Sequence, residues 1–88
     1  MKAYSVYDLK AKNYNIPQWF QTPEEALRAF RMMATKQDSM IAQFPEDYVL
    51  YEIGALDLDT GRLTGHEDLV NLGVASDYIS NTPELKEA

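Results

Sequence analysis

Between Ala3 and Leu9 the chain alternates, with Ala3, Ser5, Tyr7 and Leu9 on one side and Tyr4, Val6 and Asp8 on the other. A period of two with β-forming residues on both sides predicts a strand. Lys10 to Gln21 breaks the pattern: Asn13, Asn15 and Pro17 interrupt Tyr14, Ile16, Trp19 and Phe20, which predicts an irregular apolar loop with room for a short extended piece. Thr22-Pro23-Glu24-Glu25 then has the form of a helix start, with Thr as cap, Pro at the first helical position and Glu25 placed to close a capping box. Ala26, Leu27, Phe30, Met33 and Ala34 follow at spacings of three and four, with Arg28 and Arg31 on the flanks. One apolar stripe of this kind predicts a helix from Pro23 to Thr35, its Leu27, Phe30 and Met33 facing the sheet.

Lys36 to Asp47 reads as a connection with one helical turn around Ser39 to Gln43, because Pro45 cannot continue a helix and biases Phe44 toward an extended shape. Alternation returns from Tyr48 to Leu56. Val49, Tyr51, Ile53 and Ala55 share one face of this second strand, and Tyr48, Leu50, Glu52 and Leu56 the other. Asp57-Leu58-Asp59-Thr60-Gly61 has the composition of a hairpin connection, which makes Arg62-Leu63-Thr64 the returning strand. From Glu67 to Ile79 there are enough apolar residues to pack but no clean period, so a short helix and a final edge strand both remain open. Asn81 to Ala88, polar and containing Pro83, is expected to be a flexible tail.

The order strand, helix, strand, strand predicts an α+β domain over residues 1–80. A small, mostly antiparallel sheet of about three strands is covered on one face by one main helix, with a less defined C-terminal element. The uncovered face would carry Tyr and Leu residues too large to be left in water, and a chain of 88 residues has room for only one thin core. A homodimer or higher homo-oligomer is therefore expected.

Composition narrows the functional classes. The absence of cysteine excludes disulfides, thiolate chemistry and Cys-based zinc sites. No apolar run approaches the roughly 20 residues that span a bilayer, and the N-terminal alternation is unlike a signal-peptide core, so a cytoplasmic protein without membrane contact is expected. The net charge of −6 disfavours nucleic acid, yet the charge is polarised. Residues 1–36 hold six cations against three carboxylates, +3, whereas residues 37–88 hold two against eleven, −9. One basic face for an anion, or head-to-tail self-pairing, follows from such a distribution.

Catalytic chemistry finds no foothold in the motifs. Asp59-Thr60-Gly61 has the letters of an aspartic-protease triplet, but it lies past the middle of the chain between Asp57 and Arg62, where a turn explains it. Asp57 and Asp59 have the spacing of a calcium loop, but the next ligand position falls on Gly61 and the glycine position on Arg62. His66, the single histidine, has no histidine partner for a metal and reads as a surface loop residue. No catalytic residue, metal or cofactor is assigned, and no enzyme activity is expected. Binding chemistry is better supported. Tyr14 and Trp19 stand close in sequence to Lys10 and Lys12, with Arg28 and Arg31 soon after, and these are the ingredients of a single-strand surface, on which bases stack on rings while cations follow the backbone.

Several of these residues combine into a known pattern: Tyr4-Ser5-Val6-Tyr7-Asp8 with Lys10-Ala11, Pro17 with Trp19-Phe20, Ala26 with Arg28-Ala29-Phe30, Pro45-Glu46-Asp47-Tyr48 with Leu50-Tyr51 and Ile53-Gly54, and Asp57 with Thr60-Gly61 and Leu63. Spanning Lys2 to Ile79, this pattern resembles the small non-structural protein of gokushovirus-type microviruses, phages with single-stranded DNA genomes. The resemblance implies a non-enzymatic phage protein absent from the virion, working in the host bacterial cytoplasm around synthesis or packaging of that genome. Two functions follow as expectations. One is weak, sequence-independent binding of single-stranded DNA through Lys10, Lys12, Tyr14, Trp19, Arg28 and Arg31; the other is docking on the replication initiator or host replication proteins without DNA contact.

Overall fold

The computed structural model describes residues 1–79, so the expected tail from Asn81 lies outside the described residues. Strand β1, Lys2–Asp8, is the predicted first strand shifted by one residue. The segment expected to be a loop instead forms two short strands, β2 (Asn13–Tyr14) and β3 (Gln18–Phe20). Both pair antiparallel with the same edge of β1, β2 against Tyr7 and Asp8, β3 against Lys2 to Tyr4. Asn15 bridges the gap between them: its side-chain oxygen accepts from Val6 N–H at 2.9 Å and Ser5 Oγ at 3.0 Å, while its own N–H donates to Val6 O. A side-chain amide thus stands in for a missing ladder bond, which no period in the sequence reveals.

Helix α1 runs from Pro23 to Thr35, as the stripe predicts. Thr22 Oγ1 accepts from Glu25 N–H at 3.2 Å, and the Glu25 carboxylate accepts from Gln21 N–H at 3.0 Å, one residue before the position a standard capping box uses. Its fully buried residues are Ala26, Phe30 and Ala34. Leu27 is packed beside them, but Met33, expected to face the sheet, is exposed. The small side chains at 26 and 34 centre the helix closer to the sheet on that line, which turns Met33 to the flank. The predicted helical turn is α2, Met40–Gln43, capped by Ser39, and a 3-10 turn at Pro45–Asp47 leads into β4, Tyr48–Leu56.

The second hairpin strand differs most from expectation. Instead of Arg62–Thr64 it is β5, Leu63–Val74, and the chain closes with a short helix α3, Ser76–Ile79. Arg62 stays in the turn. The open alternatives for the C-terminal part are thus both realised, strand first and helix after. The sheet order is β2-β1-β4-β5, all antiparallel, with β3 beside β2 on β1; five strands therefore replace the three expected. Along β4 the register jumps, so that residues 66–69 of β5 lie opposite Ile53 alone. A bulge of this size breaks the period of two, and this is why β5 is hidden in the sequence.

One face of the sheet packs under α1, where Tyr4, Val6 and Leu50 meet Ala26, Phe30, Ala34, Ile41 and Ala75. On the opposite face Tyr7, Tyr14 and Tyr51 stack on one another, with ring centroids 4.6 Å and 5.7 Å apart along the series. These rings bury part of their surface within the monomer. At the end of β5, Gly73 has φ +123° and a Cβ there would come within 2.9 Å of the Tyr78 ring, so both backbone and space demand glycine. Tyr78 in turn donates to Leu72 O at 2.6 Å and meets Phe30 edge-on, which locks α3 against α1.

Candidate nucleic-acid interface

Asp8 organises the turn that carries the first two cations. Its side chain accepts from Lys10 N–H and Ala11 N–H at 2.9 and 3.1 Å, its carbonyl accepts from Lys12 N–H, and Lys12 adopts φ +60°. The turn holds the exposed Lys10 and Lys12 at the start of the β2 edge. Tyr14 follows in β2 and is 44 % exposed despite its stack on Tyr7 and Tyr51. Trp19 in β3 is 41 % exposed. Tyr14 lies opposite Tyr7 and Trp19 opposite Ala3, four residues apart on β1, a separation of about 13 Å at the rise of a strand.

Trp19 also lines an open groove of about 360 Å3 together with Phe20, Arg28 and Met32. A neighbouring groove of about 400 Å3 continues along α1 between Gln18, Met32, Met33 and Lys36. The structure therefore brings Trp19 and Arg28 together and sets Lys10, Lys12 and Tyr14 farther along the same edge. Arg31 does not join them. Its guanidinium lies 5.7 Å from the centre of the Tyr78 ring, on the α3 flank of the helix, because Arg28 and Arg31 are offset around the helix axis and the sheet edge lies on one side only. The cations are not alone at either end: Asp8, Glu46 and Asp47 share a cleft with Lys10, and Glu25 shares the groove with Arg28.

A second cluster is absent from the sequence-based expectations. Glu52 is buried, its carboxylate 2.7 Å from His66 Nε2 and 3.7 Å from Lys2 Nζ, and it accepts from the Tyr4 hydroxyl at 3.2 Å. His66 is thus a half-buried residue of β5, and the reading of it as a surface loop histidine is corrected. Burial, then the neighbouring Glu52 charge and its hydrogen bond, push the Tyr4 hydroxyl up to about 12. Burial beside Asp8 and Asp47 also raises Tyr48. The cluster ties β1, β4 and β5 across the sheet, and a buried carboxylate with three partners is structural chemistry. Its signal in the sequence is the lone charge inside Tyr48–Leu56, but its partners follow only from register. Among the described residues no group of acidic and histidine side chains has metal-binding geometry, and no helix is long and apolar enough to cross a membrane.

Compared with known proteins, residues 1–78 match the family model described as Phage ORF5 protein. The chain belongs to the phage ORF5 protein family. Protein ORF5 of Chlamydia phage 1 is 35% identical over 78 residues, covering 80% of this chain and 81% of that protein. No solved structure matches. The match reaches from β1 into α3, and with it the expected kinship to the non-structural protein of gokushovirus-type microviruses is borne out: this ORF5 protein is a phage protein of that kind. Family and relative are named for a reading frame, so the name carries no chemistry of its own.

Proposed function

We propose that this ORF5 family protein is a non-enzymatic accessory factor in single-stranded DNA genome synthesis or packaging, acting in the host cytoplasm. It binds single-stranded DNA weakly and without sequence preference along the β2–β3 edge. The observation that carries the reading is the pair of half-exposed rings, Tyr14 and Trp19, on one sheet edge with Lys10, Lys12 and Arg28 beside them. Their separation, about 13 Å along a strand, suits two bases stacked on two rings with backbone between them. Few cations and nearby carboxylates keep the affinity low. Arg31, engaged with Tyr78, is left out of the contact set.

Fluorescence anisotropy of a labelled oligothymidylate tests the reading across a salt series. Binding is expected at about 20 mM salt and loss at about 200 mM, with a shallow slope because few phosphates are neutralised. Trp19 emission is quenched on binding, Lys10, Lys12 and Arg28 exchanged together for Gln abolish retention, and Arg31→Gln leaves it unchanged. No binding at about 20 mM salt refutes the module. A second reading, docking on the replication initiator or host replication proteins, is favoured by the apolar grooves beside Met32. Association that ignores salt and requires the initiator would select it.

A further inference from the structure

Two complementary features flank the same end of the sheet. The first is the β4–β5 turn, where Leu58 and Leu63 are 67 % and 65 % exposed, with Asp57 and Asp59 on either side of Leu58. The turn is well built: the Asp57 side chain accepts from Asp59 N–H at 2.9 Å, its carbonyl accepts from Gly61 N–H, and Gly61 has φ +75°. A leucine is therefore held outward on a short rigid loop. The second feature is the groove between Trp19 and Met32, with Arg28 on its rim and Lys36 farther along the helix. Met1 joins the two, because it lines the groove and its carbonyl accepts from Leu56 N–H at 2.8 Å, just before the turn.

Apolar surface faces apolar surface in this pair, and the charges are opposite. The turn carries Asp57 and Asp59 against Arg62, and the groove carries Arg28 and Lys36 against Glu25. The ion pairs among the described residues are those made by Glu52, so Arg28, Lys36 and Asp59 are available to a partner, whereas the Asp57 carboxylate is taken up by the turn. A two-fold contact needs complementary patches side by side on one surface, so that each copy gives what the other takes. This sheet end meets that condition.

We propose that a second copy of the chain docks here, as a two-fold dimer in which the Leu58 turn of each copy seats in the Trp19–Met32 groove of the other, with Asp59 against Arg28. The alternative edge, β5, is guarded. Self-pairing of β5 about an axis between Glu67 and Asp68 would set these carboxylates of two copies against one another, and charged side chains of this kind keep natural edge strands apart. Two small contacts of this kind belong with weak, concentration-dependent interfaces. Because Trp19 and Arg28 are shared with the DNA edge, dimer and oligonucleotide compete.

Sedimentation equilibrium without DNA tests the inference directly. The wild-type mass rises from 10.1 kDa toward twice that between about 1 and 300 µM, whereas Leu58→Asp stays monomeric throughout with an unchanged circular dichroism spectrum. Asp59→Lys weakens association at least about tenfold, and adding Arg28→Glu restores it by reversing the pair. Asp59 is chosen over Asp57 because Asp57 caps the turn. A wild type that is monomeric at about 300 µM overturns the proposal, as does a Leu58→Asp protein that dimerises like wild type. Either result leaves oligonucleotide binding to be judged on its own measurement.

Discussion

Alkaline titration offers a direct reading of the Tyr4–Glu52 contact. Tyr4 is 2 % exposed, donates to the Glu52 carboxylate at 3.2 Å and is held neutral up to about pH 12 in the fold, against an ordinary value of 10.0. Between these values the unfolded chain releases the proton and the native chain keeps it, so stability falls as pH rises. The contribution is fully present below pH 10 and is lost on passing through about 12. At 1.36 kcal/mol per unit, the shift corresponds to about 3 kcal/mol. Tyr4→Phe removes the titration and leaves the ring. Urea melts of both proteins at fixed pH steps should show a constant difference up to pH 10, where the missing hydrogen bond costs the variant about 1 kcal/mol. Above pH 10 the difference closes and then reverses, because only the wild type loses stability through this group. Absorbance at 295 nm should resolve a late tyrosinate step in the wild type that is smaller by one group in Tyr4→Phe, since Tyr48 is raised in both proteins. A difference flat from pH 9 to 12, or identical tyrosinate curves for the two proteins, would refute the buried contact.

Two further substitutions probe the packing. Phe30→Ala empties a site only 2 % exposed, between the sheet and Tyr78, and should cost about 3–5 kcal/mol in a urea melt; a variant melting like wild type would remove Phe30 from the core. Gly73→Ala must adopt φ +123° and push its Cβ into the Tyr78 ring, so a loss of at least about 1–3 kcal/mol is expected. Unchanged stability there would mean that α3 does not pack where the ring of Tyr78 is seen.

The amino-acid sequence alone determined the elements whose signals are local. The alternation of β1 and β4, the Thr22-Pro23 start of α1, the Ser39 turn and the Asp57–Gly61 hairpin all act within a few residues, and each is found within one residue of its predicted place, while the apolar stripe of α1 holds except at Met33. The polarised cations and the exposed rings were also legible, since charge and aromaticity belong to residues and not to folds. Tertiary structure decided everything that depends on partners distant in the chain. β2 and β3 exist because β1 offers a free edge and Asn15 completes it. β5 continues past Thr64 because β4 pairs with it across a bulge, so its residues obey the partner's register and not their own period. The same cause moved His66 from an expected surface loop to the buried Glu52. It also split the predicted DNA set: position around the α1 axis sent Arg28 to the groove of Trp19 and Arg31 to the ring of Tyr78, two destinations that a spacing of three residues does not distinguish until the sheet edge is in place.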